Sequence, residues 1–134
     1  MKQIKLMAIM ALVIVVFACA YGQSNPLLIG KWKTSYHEDG EKGFITYEIK
    51  TVDGKLKGYT QYIEDDKGNG EDYTSLALKN IRFSDDKGEA TYIVEYEGET
   101  YDAEASLRLV DANTLKIHYS YMGYSDTETW KRVK

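Results

Sequence analysis

From Ile29 to Lys134 apolar residues alternate with polar ones, and no run of ten or more residues carries the 3.6-residue spacing of an amphipathic helix. A period of two with one apolar face is the mark of antiparallel sheet buried on one side. Turn sequences divide this stretch: Asp53-Gly54 suits a two-residue hairpin, Asp85-Asp86-Lys87-Gly88 a turn with glycine in the left-handed position, and Asp111-Ala112-Asn113 a tight turn. The predicted strands are 30–37, 43–52, 55–63, 76–84, 89–97, 99–110, 114–122 and 126–133. With connections this short, consecutive strands are antiparallel neighbours in an all-β, up-and-down meander. About eight strands is the number at which such a sheet closes into a small barrel with no free edge, the rival being an open sandwich of the same strands. The tetrapeptide Asp-Asp-Lys-Gly at Asp65 and Asp85 is repeated turn chemistry, without the matching flanks of a solenoid repeat.

Strand parity assigns the interior. It points Trp32, Thr34 and Tyr36 inward from the first strand, Ile45, Tyr47 and Ile49 from the second, and Leu56, Gly58, Thr60 and Tyr62 from the third. Leu76 and Leu78 followed by Ile81 and Phe83 switch parity, which predicts a β-bulge near Lys79-Asn80. Tyr92, Val94 and Tyr96 point inward from the fifth strand, Tyr101, Ala103, Ala105, Leu107 and Leu109 from the sixth, and Leu115, Ile117, Tyr119 and Tyr121 from the seventh. In the last strand Trp130 shares a face with Glu128 and Arg132, and the pattern does not decide whether that face is buried.

Two features of this interior bear on function. Gly58, Thr60, Ala103 and Ala105 leave space, while Tyr36, Tyr47, Tyr62, Tyr92, Tyr101 and Tyr119 bring phenols into it. A buried phenol without a hydrogen-bond partner costs about 1–3 kcal/mol, so these hydroxyls need partners. One reading is a tyrosine-lined cavity for a small molecule with an apolar body and a few polar groups. The other has the tyrosines cross-packing, with their hydroxyls reaching water at the barrel mouths.

The amino terminus is of a different kind. A basic start, Met1 to Lys5, precedes an apolar run from Leu6 to Ala18, which reads as a secretory signal peptide. The run is shorter than the roughly 20 residues a bilayer requires, so the mature chain is expected to lack a transmembrane span. Ala20-Tyr21-Gly22 offers small residues for cleavage before Gln23, while Val16-Phe17-Ala18-Cys19 approximates a lipoprotein signal in which Cys19 would carry the lipid. The expected organisation is a signal peptide over 1–22, a linker over 23–28 around the single proline, Pro26, and a barrel domain over 29–134. The protein is then exported, periplasmic or extracellular, or else tethered to a membrane through Cys19. Cys19 is the one cysteine, so the domain must be held together by its apolar core rather than by disulfides.

Charge and chemistry narrow the classes. The formal net charge is −4, more negative still once Lys2 and Lys5 leave with the signal, and the cations are interleaved with carboxylates, which argues against a nucleic-acid partner. The two histidines are weak material for catalysis: His118 falls on the outward face beside Lys116 and Ser120, and His37 lies near the first turn beside Glu38 and Asp39. Asp65, Asp66, Asn69, Glu71 and Asp72 crowd one loop, but Lys67 and Leu76 occupy positions at which an EF-hand requires ligands. Glu95, Glu97, Asp102 and Glu104 take outward parity and solvate the sheet. No catalytic set, cofactor site or metal site is expected.

Gly30-Lys31-Trp32 resembles the G-x-W signature of the lipocalins and related calycin barrels. In those proteins the tryptophan closes one end of the barrel under a basic residue from the last strand, so the resemblance implies structural closure by Gly30, Trp32 and Arg132. The strings Gly30-Lys31-Trp32-Lys33-Thr34 and Thr127-Glu128-Thr129-Trp130-Lys131-Arg132-Val133 also resemble a family of small exported bacterial proteins of unknown function that open with G-x-W-K-T and close with T-x-T-W-x-R-V. The lipocalin resemblance implies a carrier of a small apolar or amphipathic molecule. A non-enzymatic protein of that kind is the expectation, with an envelope or secreted module that meets a protein or glycan around a solid core as the alternative.

Overall fold

A computed structural model describes residues 27–38 and 40–134. The expected signal peptide, Cys19 and residues 23–26 of the linker lie outside the described residues. Eight antiparallel strands follow one another: β1 (Gly30–Glu38), β2 (Glu41–Val52), β3 (Lys55–Asp65), β4 (Gly70–Ser84), β5 (Lys87–Tyr96), β6 (Glu99–Asp111), β7 (Thr114–Tyr121) and β8 (Tyr124–Arg132). Each pairs with the next, and β1 meets β8 to close the barrel. The predicted meander and its closure are what the chain forms, and no helix occurs among the described residues.

The fourth strand begins at Gly70 rather than at residue 76. The polar run Gly70 to Ser75 has the composition of a loop, but its backbone pairs with β3 as far as Glu64–Gly70. The acidic connection is thereby reduced to a short turn. Asp65 closes it, its Oδ1 accepting the backbone N–H groups of Lys67 and Asn69 at 2.9 Å each, which draws its carboxyl below the usual range.

Besides a slip at Val110 between β6 and β7, bulges change the predicted parity in three places. The predicted one is present, the register slipping between Lys79 and Arg82, where Asn80 takes a positive φ. A second, at Ala77, lies between the pairs Gly58–Leu78 and Tyr59–Leu76, and it turns Leu76 to the outer face beside Tyr59. The third, at Gln61, separates Tyr47–Thr60 from Thr46–Tyr62. Tyr62 therefore shares the outward face of Thr46, and Ile63 points inward in its place. One inserted residue reverses every later side chain of a strand. Tyr96, also expected inside, ends β5 at the rim and is 61% exposed.

The pairing is uneven along the barrel axis. β1 and β8 pair at Trp32–Arg132 and Lys33–Lys131, joined by Val133 N–H to Lys31 O at 2.9 Å and the Thr34 hydroxyl to Thr129 O at 2.9 Å. β4 and β5 pair from Ser84–Lys87 up to Leu78–Tyr92. Beyond these points, among the described residues, each strand keeps backbone pairing only with its other neighbour. The barrel is zipped at the end holding the β2–β3, β4–β5 and β6–β7 turns, and splays into two four-stranded sheets, β1–β4 and β5–β8, towards the other.

Candidate functional site

The zipped end is sealed. Trp32 and Leu28 are fully buried, and the Trp32 indole N–H donates to Leu28 O at 3.0 Å. Arg132 lies over the Trp32 ring, 4.3 Å from its centroid. Its Nε donates to Ala112 O at 2.9 Å and its Nη1 to Ile29 O at 3.0 Å, with Nη2 reaching Leu27 O. The guanidinium thus ties the chain entering β1 to the β6–β7 turn. Gly30 must lack a side chain there: its φ is +140°, and a Cβ would stand 2.7 Å from Arg132 Nη1. Ile49, Leu78, Leu115 and Ile117 fill the space behind, all fully buried.

The middle of the barrel is aromatic and hydrogen-bonded. Trp130 is fully buried, which places Glu128 and Arg132 on the inward face of β8. Tyr47 stacks on Trp130 with centroids 4.0 Å apart, and the Tyr92 ring stands edge-on to both Tyr119 and Trp130. Glu128 gathers the polar tips. Its Oε1 accepts the Trp130 indole N–H at 3.0 Å and the Tyr92 hydroxyl at 3.0 Å. The Tyr92 hydroxyl lies 3.2 Å from that of Tyr47, so with Tyr92 donating to the carboxylate, Tyr47 donates to Tyr92. Burial raises the Glu128 pKa, while the indole and phenol hydrogen bonds pull it back down. Burial and the nearby carboxylate hold Tyr47, Tyr92 and Tyr119 protonated, their pKa values all raised.

The splayed end is different. Tyr36, Ile45, Val94, Tyr101 and Tyr121 are only half-buried there, with Ile45, Val94 and Tyr121 packed against the edge of the core. Tyr36 donates to Glu64 O at 3.4 Å and Tyr101 to Glu99 Oε2 at 2.7 Å, both near the rim. Tyr101 and Tyr121 pack with centroids 5.1 Å apart. Tyr73 spans the open β4–β5 seam, donating to Glu95 Oε1 at 2.9 Å.

Of the six tyrosines singled out in the sequence, Tyr47, Tyr92 and Tyr119 form the packed middle, and Tyr36 and Tyr101 stand at the mouth. Tyr62 belongs to neither, because the Gln61 bulge puts it on the outer wall, its ring over Gly70. The residue that sequence reasoning left undecided is Glu128, the hub of the middle layer. Its signal was the spacing of two from Trp130, a side chain too large and apolar for the outer face.

Outside the barrel, His118 is exposed as expected, its Nδ1 2.8 Å from Thr127 Oγ1. It borders a shallow outer depression of about 440 Å³ with Lys87, Ser106, Arg108 and Lys116. Lys87, Arg108 and Lys116 lie side by side across three strands, since Lys87 pairs with Arg108 and Arg108 with Lys116. Among the described residues no group of three His, Cys, Asp or Glu side chains is placed to hold a metal ion. No helix among them is long and apolar enough to cross a membrane.

No family model matches this chain, and no curated protein sequence does. Among solved structures it is similar to a redesigned β-barrel, at 18% identity and a TM-score of 0.49, over 81% of this chain and 94% of that one. It is also similar to a de novo designed fluorescence-activating β-barrel, at 11% identity and a TM-score of 0.48, over 87% of this chain and 97% of that one.

Proposed function

We propose that this protein is an exported, non-enzymatic, lipocalin-like barrel that binds a small apolar or amphipathic molecule in its splayed half. The observation that carries this reading is the half-buried lining of Tyr36, Ile45, Val94, Tyr101 and Tyr121 above a floor closed by Tyr47, Tyr92 and Trp130, which are at most 6% exposed. Inward-facing apolar side chains left half in water are a site that an apolar guest completes, each square ångström covered contributing about 25 cal/mol. Trp32 and Arg132 hold the other end shut and give the open half a fixed frame.

Native mass spectrometry of the protein purified from cells that export it tests the reading. A stoichiometric excess mass that vanishes on denaturation is the expected result. A bare mass, together with no thermal stabilisation by fatty acids, sterols or other amphiphiles, overturns it.

The second reading is an envelope or secreted module recognising a protein or glycan through its outer wall. The row of Lys87, Arg108 and Lys116 favours it, because cations placed directly opposite one another repel unless an anion bridges them. It predicts that Arg108→Glu abolishes partner binding while Tyr101→Ala leaves it unchanged.

A further inference from the structure

Glu128 presents a chemical puzzle. Its two oxygens accept from the Tyr92 hydroxyl and the Trp130 indole, with the Tyr119 hydroxyl bonded to it as well, so its hydrogen-bond partners are two phenols and an indole. Burying a carboxylate costs far more than burying an amide unless a cation compensates it. Among the described residues no cation does: the ion pairs are Lys33–Glu64, Lys50–Glu48 and Lys79–Asp102, and none involves Glu128. Its donors, Tyr92, Tyr119 and Trp130, are all neutral, so among the described residues no positive charge compensates the carboxylate.

A second carboxylate faces the same way. Asp126 and Glu128 pair across β7 with Tyr119 and Ile117, both inward-facing, so the two acids lie one above the other on the inner side of β8. Asp126 is exposed at the mouth and Glu128 half-buried beneath it. The aromatic faces of Tyr119 and Tyr121 stand on the adjacent strand. Among the described residues the one inward-side cation, Arg132, is committed to carbonyls at the opposite end. Around the splayed rim Glu41, Asp72, Glu95 and Glu99 outweigh Lys42 and Lys67, and an excess of one sign of charge concentrates ions of the other.

We infer that the guest of the open half is a cationic amphiphile, its ammonium or amidinium head seated at Asp126 and Glu128 against the tyrosine faces and its apolar part over Ile45 and Val94. This rests on the carrier reading and specifies its ligand class. Carboxylate and ring face act together on such a head, the first by charge-assisted hydrogen bonding or ion pairing and the second through the negative face of the π system.

The test uses decyltrimethylammonium, decyl maltoside and decyl sulfate, each below its critical micelle concentration, titrated calorimetrically into the protein. The expected result is that the cation binds roughly tenfold or more tightly than the other two, and that its affinity, unlike that of the maltoside, falls on acidification. Glu128→Gln removes the preference, and Asp126→Asn, on an exposed side chain that cannot threaten the fold, weakens it severalfold. Equal or tighter binding of the neutral or anionic amphiphile overturns the inference and leaves the carrier reading standing. Binding of none of the three overturns both. If Glu128→Gln fails to fold, an unchanged preference in Asp126→Asn overturns the inference by itself.

Discussion

The two halves of this barrel are built from the same strands by the same alternation, yet they are different materials. In the zipped half the inward positions hold Trp32, Ile49, Leu78, Leu115 and Ile117, all at 0% exposure, and the hydrogen-bonded wall is continuous around the barrel. In the splayed half they hold tyrosines, Ile45, Ile63 and Val94, and the carboxylates of Asp126 and Glu128, and the wall is interrupted at two seams. Alternation sets which face is inside. What fills that face sets whether the strands can close over it: aliphatic side chains and indoles pack dry, whereas phenols and carboxylates need partners or water at their tips. The stability of the fold and its capacity for a guest are therefore lodged at opposite ends.

The largest expected effect comes from breaking the seal. Trp32→Ala removes a fully buried ring and the stacking surface of Arg132, and should cost about 3–5 kcal/mol in urea unfolding. Tyr101→Ala, the equivalent truncation at the splayed end, removes a half-buried ring and should cost about 1 kcal/mol. Equal costs would mean that the two halves form one uniform core. Arg132→Met comes next, at about 1–3 kcal/mol, because it keeps the aliphatic stem over Trp32 but loses the hydrogen bonds to Ala112 O and Ile29 O. Its signature is a lowered midpoint with unchanged binding in the open half.

Hydrogen exchange sharpens the same contrast without mutation. Amides near the Trp32–Arg132 pair should open only with global unfolding, whereas those of Ser35 to His37 and Tyr124 to Thr127, beyond the paired part of the seam, should exchange at least about tenfold faster. Uniform protection along β1 and β8 would show that the splay does not weaken the wall.

The sequence made the strands legible because alternation and turn chemistry are local. Asp53-Gly54 and the Asp111–Asn113 turn lie where their composition puts them, but at the third turn the left-handed residue is Asp85 and not the expected Gly88, which already pairs with Phe83 in β5. Bulges are less legible. The one near Asn80 showed because four apolar residues, Leu76, Leu78, Ile81 and Phe83, straddled it, although the further slip at Ala77 turns Leu76 outward. The one at Gln61 left no mark, since Tyr62 and Ile63 are both acceptable inside, and only pairing with β2 and β4 decides between them. Gly70 to Ser75 was illegible for a related reason: a strand at an open seam keeps the polar composition of a loop. The candidate site was half visible. Tyr47, Tyr92 and Tyr119 follow from parity, but Glu128 required knowing that Trp130 is buried, which comes from closure of the barrel and not from β8 itself.

The smallest expected effect tests the charge at the junction of the two halves. A carboxyl whose pKa is raised on folding binds its proton more tightly in the native state than in the unfolded one. Glu128 therefore favours folding most at acidic pH, and its contribution declines as pH rises from the ordinary carboxylate range through the elevated native value. Asp65 and Asp111, held below the usual range by backbone N–H groups, act in the opposite sense, their contribution being lost as pH falls. Both are shared with Glu128→Gln and cancel in the comparison. The wild-type protein should thus lose stability relative to Glu128→Gln between about pH 4 and neutrality, by within about 1 kcal/mol, and urea midpoints of the two proteins across that range measure it. A flat difference would mean that the carboxylate is as well solvated in the fold as in the unfolded chain, placing Glu128 with the open half rather than with the floor beneath it. A declining difference means that at neutral pH the barrel holds an anion it has not itself neutralised, and any stabilisation then gained from a bound cation should exceed that in Glu128→Gln.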